Sequence, residues 1–225
     1  AVAAARRAAA LRPDLPEVQV AQAWILYTDK KFDDAIQCAQ QAIERKRDCE
    51  GGYYILGRAL FASGRYQEIA SMADAAVEAS GDDYNVYVPI SNALQALGKD
   101  EALRNVRQRR IQALENHLKL VPDDARARTH LALDYVGVDR SEDSVREMQF
   151  AVALRPDAMV LYNAACVYCQ LNRRSEALEA LRKAWDVGYK DFYWARRDPD
   201  LPLLHGDPEF ERLFPALSQG SKLER

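Results

Sequence analysis

The stretch YYILGRALFASGRYQEIASMADAAV, residues 53–77, decides how the chain folds. Large apolar residues recur on both sides of Ser63-Gly64-Arg65 at the spacing of amphipathic helices, and a glycine between two such segments marks a turn. Two antiparallel helices joined by a turn are therefore predicted here. Small residues such as Gly57, Ala73 and Ala76 would let the helix backbones approach closely. One helix pair cannot bury its apolar face alone, so neighbouring pairs must stack on it.

The same pattern recurs along the chain with a period near 34 residues. Small residues lie 34, 34, 41 and 33 positions apart at Ala23, Gly57, Ser91, Ala132 and Ala165. A second series with the same spacing consists of Leu26, Leu60, Leu94, Tyr135 and Tyr168. The longer interval holds seven additional residues, two helical turns, so one long helix is predicted within residues 100–124. Pro89 lies near the start of the preceding helix and predicts that this helix begins late or kinks.

The period and the residues that carry it resemble the tetratricopeptide repeat (TPR). Tyr53, Leu56-Gly57 and Leu60, followed by Ile69 and Ala73, match the pattern W-x2-L-G-x2-Y and then A-x3-F. The sequence departs from that pattern at Gln19, where an aromatic residue is expected. The resemblance implies an all-α, right-handed superhelical solenoid of antiparallel helix pairs. The predicted divisions are a half-repeat (1–15), five repeats (16–49, 50–83, 84–124, 125–157 and 158–188), a C-terminal cap (189–217) and a tail (218–225).

The end of the chain differs from the repeats. Asp198-Pro199 and Asp207-Pro208 each read as a helix N-cap followed by proline in the first turn, so two short helices are predicted to cover the open apolar end. Together with YNAAC at 162–166, this ending resembles the C-terminal repeat regions of bacterial serine/threonine kinases, nucleotide cyclases and winged-helix regulators. That resemblance implies a cytoplasmic signalling protein as the parent molecule.

Composition narrows the classes of function. The 225 residues carry a net charge of −3, which argues against broad electrostatic capture of nucleic acid or of an anionic membrane. The apolar runs are too short for a membrane span, and no signal peptide is predicted, since arginines interrupt the alanine-rich start. The four cysteines predict a reduced setting rather than a disulfide scaffold.

Cys166 and Cys169 form the one motif that could carry chemistry. They are three residues apart on a predicted helix, where both thiols could face one way. A structural zinc site needs about four ligands, and the sequence contains no second Cys pair or His pair at suitable spacing. Small buried side chains are therefore predicted, with no catalytic residue, metal or cofactor. A thiol- or metal-dependent enzyme centred on this pair is the alternative.

The remaining candidate site is the concave surface that the first helix of each repeat lines in the TPR family. Residue pairs one turn apart and away from the helix seam are Val20/Trp24, Tyr54/Arg58, Val88/Asn92, Thr129/Leu133 and Tyr162/Cys166. The predicted partner-binding residues are Trp24, Tyr27, Tyr54, Arg58, Asn92, Gln95, Arg126, His130 and Asn163. Aromatic side chains would anchor a peptide or protein partner, while Arg and Asn would bond its backbone and carboxylates. The family's carboxylate clamp, a Lys and an Asn one turn apart, does not occur among these pairs. The alternative is a homo-oligomerisation scaffold, for example a homodimer, that uses the long helix at 100–121.

Overall fold

The computed structural model describes residues 7, 11–12, 14–190, 195–196, 198 and 200–215, and these form helices and turns without a strand. The eleven helices of this part of the chain are α1 (Pro16–Thr28), α2 (Phe32–Arg45), α3 (Gly52–Ala62), α4 (Tyr66–Ser80), α5 (Tyr87–Ala96), α6 (Asp100–Leu120), α7 (Ala125–Val136), α8 (Ser141–Leu154), α9 (Ala158–Gln170), α10 (Arg174–Asp186) and α11 (Pro208–Leu213). The predicted all-α fold of antiparallel helix pairs is confirmed. The predicted half-repeat helix falls largely outside the described residues, and the predicted tail 218–225 does so entirely.

The chain divides into two compact units, residues 1–113 and 114–225, which we call the N-terminal and C-terminal units. The boundary falls inside α6, the predicted long helix, which has 21 residues and is therefore about 32 Å long. Among the described helices, none is both long and apolar enough to cross a membrane.

In the N-terminal unit, small side chains set the distance between helices. α1 packs on α2, and α3 contacts both α1 and α5, so the first helices of successive pairs lie side by side. The sequence predicted that Gly57 approaches the alanines at 73 and 76, but its closest contact is with another residue. A Cβ on Gly57 would come within 2.6 Å of the Pro89 ring on α5, so Gly57 belongs to the contact between successive first helices. Pro89 is the third residue of α5, where a missing N–H is tolerated, and that helix does begin late, at Tyr87.

The five predicted turns within the repeats share one backbone path. In each, a residue with positive φ follows the first helix, and the next N–H donates to the carbonyl five residues earlier. In the first turn Lys31 N donates to Leu26 O at 2.8 Å. This 6→1 bond with a left-handed residue is the Schellman motif, which satisfies carbonyls left open at a helix end. The left-handed residues have φ between 58° and 72° and are Lys30, Gly64, Gly98, Asp139 and Asn172.

In the C-terminal unit, α7 pairs with α8 and α9 pairs with α10. The chain after α10, which we call the C-terminal segment, covers the pair α9 and α10 with buried apolar side chains, namely Leu201, Leu204, Phe210, Leu213 and Phe214. Two ion pairs attach this segment to α10, Arg174–Asp207 at 2.6 Å and Arg182–Glu209 at 2.7 Å, and Arg196–Glu211 at 2.7 Å joins two parts of the segment itself.

One of the two short helices predicted in the C-terminal segment is confirmed. Asp207 caps α11, since its carboxylate accepts from the N–H groups of Glu209 and Phe210. The other prediction is wrong, because residues 202–206 form turns rather than a helix. Asp198 instead accepts from the Asp200 N–H at 2.9 Å in a local turn and uses its other oxygen for a contact with α9. The carboxylate is thus drawn into the interior rather than left to cap a helix.

Candidate functional site

Four of the nine predicted partner-binding residues meet in the N-terminal unit. Trp24 and Tyr27 lie one turn apart on α1, and their rings make an edge contact with centroids 6.0 Å apart. Trp24 also makes an edge contact of 5.6 Å with Tyr54 on α3. Arg58, one turn beyond Tyr54, reaches back to both tyrosines. We call these four residues the aromatic–arginine site.

The guanidinium of Arg58 is bound by phenols. It donates to the Tyr27 hydroxyl at 3.0 Å and to the Tyr54 hydroxyl at 3.3 Å, and its carbon lies 5.3 Å from the Tyr27 ring centroid. In the described part of the chain, no carboxylate lies within ion-pair distance of Arg58. Burial would lower the pKa of Arg58, but the hydrogen bond to Tyr27 and the neighbouring phenols outweigh it, so this pKa is raised overall and the group stays charged.

Most other described arginines differ from Arg58 in this respect. Arg47, for example, pairs with Glu78, and Arg65 pairs with Glu68 at 2.5 Å. The Arg47 side chain is well exposed, whereas Arg58 is half-buried among rings. A partly desolvated cation bonded only to neutral acceptors can still form a charge-assisted hydrogen bond with an anion, which is stronger than a neutral one.

Sequence reasoning missed one neighbour of this site. Phe32, the first residue of α2, lies with its ring centroid 5.7 Å from that of Tyr27 and extends the aromatic surface. The predicted partner-binding residues all lie on the first helix of a repeat, whereas Phe32 begins a second helix. An aromatic residue directly after a basic turn is the signal that could have identified it.

The other five predicted residues remain separate from the aromatic–arginine site as far as the described contacts go. Asn92 and Gln95 are exposed on α5, which packs beside α3 within the N-terminal unit. Arg126 is exposed on α7, His130 is half-buried on the same helix, and Asn163 is half-buried on α9. These last three belong to the C-terminal unit.

One predicted surface pair proves to be core. Tyr162 and Cys166 are each 2% exposed, although the helical spacing predicted that they face the groove. The Tyr162 ring stacks on Tyr189 at 4.1 Å, and its hydroxyl donates to Asp198 Oδ2 at 2.6 Å. The C-terminal segment therefore covers this face of α9.

The cysteine pair belongs to the same buried contact. Cys166 Sγ donates to Asp198 Oδ2 at 3.8 Å, and Cys169 is also buried. Burial, and then the nearby carboxylates of Asp198 and Asp200, raise the pKa of the Cys166 thiol well above its usual value. Burial likewise raises the pKa of Cys169. A catalytic cysteine needs the opposite shift, because the thiolate is the nucleophile.

The same carboxylates lie close enough to Cys166 for a cation to be considered. Ligand atoms of Cys166, Asp198 and Asp200 all lie within 4.8 Å of one another. The Asp198 carboxylate, however, already accepts hydrogen bonds from Tyr162, Cys166 and the Asp200 N–H. These bonds satisfy a buried carboxylate and attach the C-terminal segment to α9.

Comparison with the sequences of known proteins gives a match over part of the chain. No model of a known protein family matches the chain. A chloroplastic protein of Arabidopsis thaliana is 31% identical over 114 residues, which are 48% of this chain and 34% of that protein. The match therefore spans about a third of the length of this relative.

Solved structures with the same fold are TPR proteins. TTC0263 of Thermus thermophilus has a TM-score of 0.61 and 19% identity, covering 81% of this chain and 96% of that one. YrrB, described as a TPR protein with an unusual peptide-binding site, has a TM-score of 0.51 and 20% identity, covering 84% and 94%. At these identities the likeness establishes the fold alone: the chain has the TPR fold.

Proposed function

We propose that this chain is a protein–protein interaction module, and that its aromatic–arginine site binds a carboxylate of a peptide or protein partner. The observation that carries the proposal is the half-buried Arg58 guanidinium, which has only phenolic acceptors in the described part of the chain. An arginine offers five N–H donors, and the two hydrogen bonds to Tyr27 and Tyr54 leave donors for a bidentate bond to a carboxylate.

The rings around Arg58 give this site its selectivity. Trp24 and Tyr54 are half-buried and present apolar surface beside the charge. An incoming acidic side chain or terminal carboxylate would bond to Arg58, while an adjacent apolar residue of the partner would pack on Trp24. Large aromatic residues and arginine are the side chains that most often dominate binding energy at interfaces.

Polar residues beyond the site extend the proposed contact. Asn92 and Gln95 are exposed on α5 and can bond the backbone of an extended partner segment. Arg126, His130 and Asn163 stay predicted contact residues of the C-terminal unit. A TPR structure described as having a peptide-binding site, YrrB, supports a peptide as the kind of ligand.

The wider setting rests on the resemblance to bacterial signalling proteins. On that basis we propose that the module serves a larger cytoplasmic regulatory protein, with no catalytic role of its own. The buried thiols of Cys166 and Cys169, with their raised pKa values, agree with a structural rather than a chemical use of that pair.

Selection from a random peptide library displayed on phage tests the proposal directly. We expect selected peptides to be rich in Asp, Glu or a free C-terminal carboxylate next to an aromatic or aliphatic residue. Arg58→Ala should weaken their binding by at least about thirtyfold, as for an interface anchor, and Trp24→Ala should weaken it as well. Binding should also weaken as salt is raised.

Arg47→Ala is the matched control. Arg47 is an exposed arginine of the same unit and pairs with Glu78, so its loss removes one positive charge without touching the site. It should leave peptide affinity within about twofold of the parent. Peptides without acidic groups, or peptides that bind Arg58→Ala as tightly as the parent, would show that the proposed function is wrong.

A further inference from the structure

Exposed apolar side chains are concentrated in one part of the C-terminal unit. In the described residues seven large apolar side chains are exposed, and five of them belong to two short stretches of the C-terminal unit, namely Leu120 and Val121 in the first and Phe150, Leu154 and Met159 in the second. Arg128 connects them, because it donates to Pro122 O at 2.9 Å and lies over the Phe150 ring at 5.0 Å. Apolar residues clustered in this way on a surface mark an interaction site.

Phe150 and Leu154 form a ridge on α8. They are four residues apart, so they lie on the same flank of the helix, and they are 50% and 46% exposed. The ring of Phe150 is held in place by Arg128, which is itself ion-paired with Glu147. An apolar ridge of this kind suits insertion into a cavity.

The other flank of α8 borders such a cavity. It measures about 280 Å³, and its apolar lining comes from Val152, Ala153, Leu161, Ala164, Tyr168 and Ala180. A cavity of about 150 Å³ lined by apolar groups already holds a benzene molecule, so this one has room for a phenyl ring. Its alanines leave space above α9, and the rim carries the ion pair Glu179–Lys183 at 2.7 Å.

Ridge and cavity lie at the same height along α8. Phe150 and Leu154 bracket Val152 and Ala153, and successive residues turn by roughly 100° around the helix, which places the two features on different flanks. A two-fold axis parallel to α8 turns one copy by half a rotation without shifting it along the helix. The ridge of each copy would then face the cavity of the other, which is the self-complementarity that a two-fold dimer requires.

The charges around this surface are balanced within each copy. Arg128 pairs with Glu147, Arg155 pairs with Asp157 at 2.7 Å, and Lys183 pairs with Glu179. Two identical surfaces can therefore meet without the repulsion that a patch of one sign would cause.

We propose that the chain forms a two-fold homodimer in which the Phe150–Leu154 ridge of each copy occupies the α8–α10 cavity of the other. The ridge and the cavity share no residue with the aromatic–arginine site, so dimer formation and peptide binding can be tested separately. The sequence offered a homo-oligomer on the long helix only as an alternative, and the proposal places the contact on α8 instead.

Sedimentation velocity from low to high micromolar concentration tests the dimer. We expect the parent chain to shift from monomer to dimer, and Phe150→Glu on the ridge and Ala153→Arg in the cavity each to weaken the association by at least about tenfold. Both positions are exposed, so each variant should keep its helix content by circular dichroism. Val187→Glu, which changes an exposed apolar residue outside the ridge, should dimerise like the parent.

Mixing the two defective variants distinguishes this arrangement from other dimers. In a mixed pair the intact ridge of the Ala153→Arg chain enters the intact cavity of the Phe150→Glu chain. On the other side the introduced glutamate faces the introduced arginine, so opposite charges meet. We therefore expect the mixture to dimerise more tightly than either variant does alone. A parent chain that stays monomeric at every concentration would overturn the proposal, and so would a mixture that stays monomeric.

Discussion

At the scale of single residues, the contact between Gly57 and Pro89 sets how closely α3 and α5 approach. We expect Gly57→Leu to lower the free energy of unfolding by about 3 kcal/mol, because the side chain must displace the Pro89 ring in a packed interior. Chemical denaturation measures this change. Gln67→Leu, at an exposed position of α4, is the control and should shift stability by less than about 0.5 kcal/mol.

A double-mutant cycle assigns the effect to the proline ring. In the parent chain Gly57→Ala combines a steric conflict with the gain of roughly 1 kcal/mol that alanine has over glycine in a helix. In a Pro89→Gly background both ring carbons nearest the added Cβ are absent and the conflict is relieved, so Gly57→Ala should become stabilising. Equal effects in both backgrounds would mean that Pro89 does not limit the approach of the two helices.

Several features of single residues could be predicted from the sequence. The small residue at position 57 and the turn at Gly64 were evident from spacing and turn chemistry, since both depend on neighbours within one period. The clustering of Trp24, Tyr54 and Arg58 was predicted in part, because residues 34 positions apart stack on neighbouring first helices. The reach of the Arg58 side chain to two phenols was not predictable, since it depends on rotamers that spacing does not determine.

At the scale of elements, the attachment of α11 rests on carboxylates. Hydrogen bonding to Arg174 lowers the pKa of Asp207, hydrogen bonding to Arg182 lowers the pKa of Glu209, and Arg196 acts likewise on the pKa of Glu211. Groups whose pKa is lowered by folding stabilise the folded chain above their unfolded pKa, and this stabilisation is lost as the pH falls through the folded value.

We therefore expect the stability of the C-terminal unit to be constant near neutral pH and to fall below about pH 4.5, the ordinary value for a glutamate. Melting followed by circular dichroism across this range measures the effect. Arg174→Gln should make the acid-induced loss shallower, because Asp207 then titrates closer to its ordinary pKa. Arg47→Gln, which removes a cation far from α11 in the sequence, should leave the profile of this unit unchanged. An identical profile for Arg174→Gln and the parent would contradict the assignment.

Elements were also where sequence reasoning failed. The periodicity that α9 shares with its predecessors predicts that Tyr162 and Cys166 face the groove, although the cysteine pair by itself predicts buried side chains. Asp198, 36 residues after Tyr162, folds back and buries them. A helical pattern records which side chains share a face, and whether a distant segment covers that face depends on contacts that periodicity does not encode.

At the scale of the whole molecule, the C-terminal segment completes the C-terminal unit. Truncation after Gly188 removes Leu201, Leu204 and Phe210 from α9 and α10, and we expect the exposed surface to cause aggregation and loss of cooperative melting. Light scattering and thermal denaturation report both effects. Truncation after Pro215 keeps these side chains and should behave as the parent does. If the shorter chain is as soluble and stable as the parent, the segment is a separate binding element rather than a cap.

The shared turns also describe how a chain of this kind grows. Lys30, Gly64, Gly98, Asp139 and Asn172 differ in chemistry, yet each gives the backbone the same path. If a helix pair is duplicated in the gene, its turn is copied with it, so the longer chain needs no new kind of loop. The interval of 41 residues between Ser91 and Ala132 shows a second way to lengthen the chain. Its seven extra residues add two turns to α6, and the following turn at Asp139 keeps the shared backbone path. Helix length therefore varies between the repeats, while the backbone path of the turns stays the same.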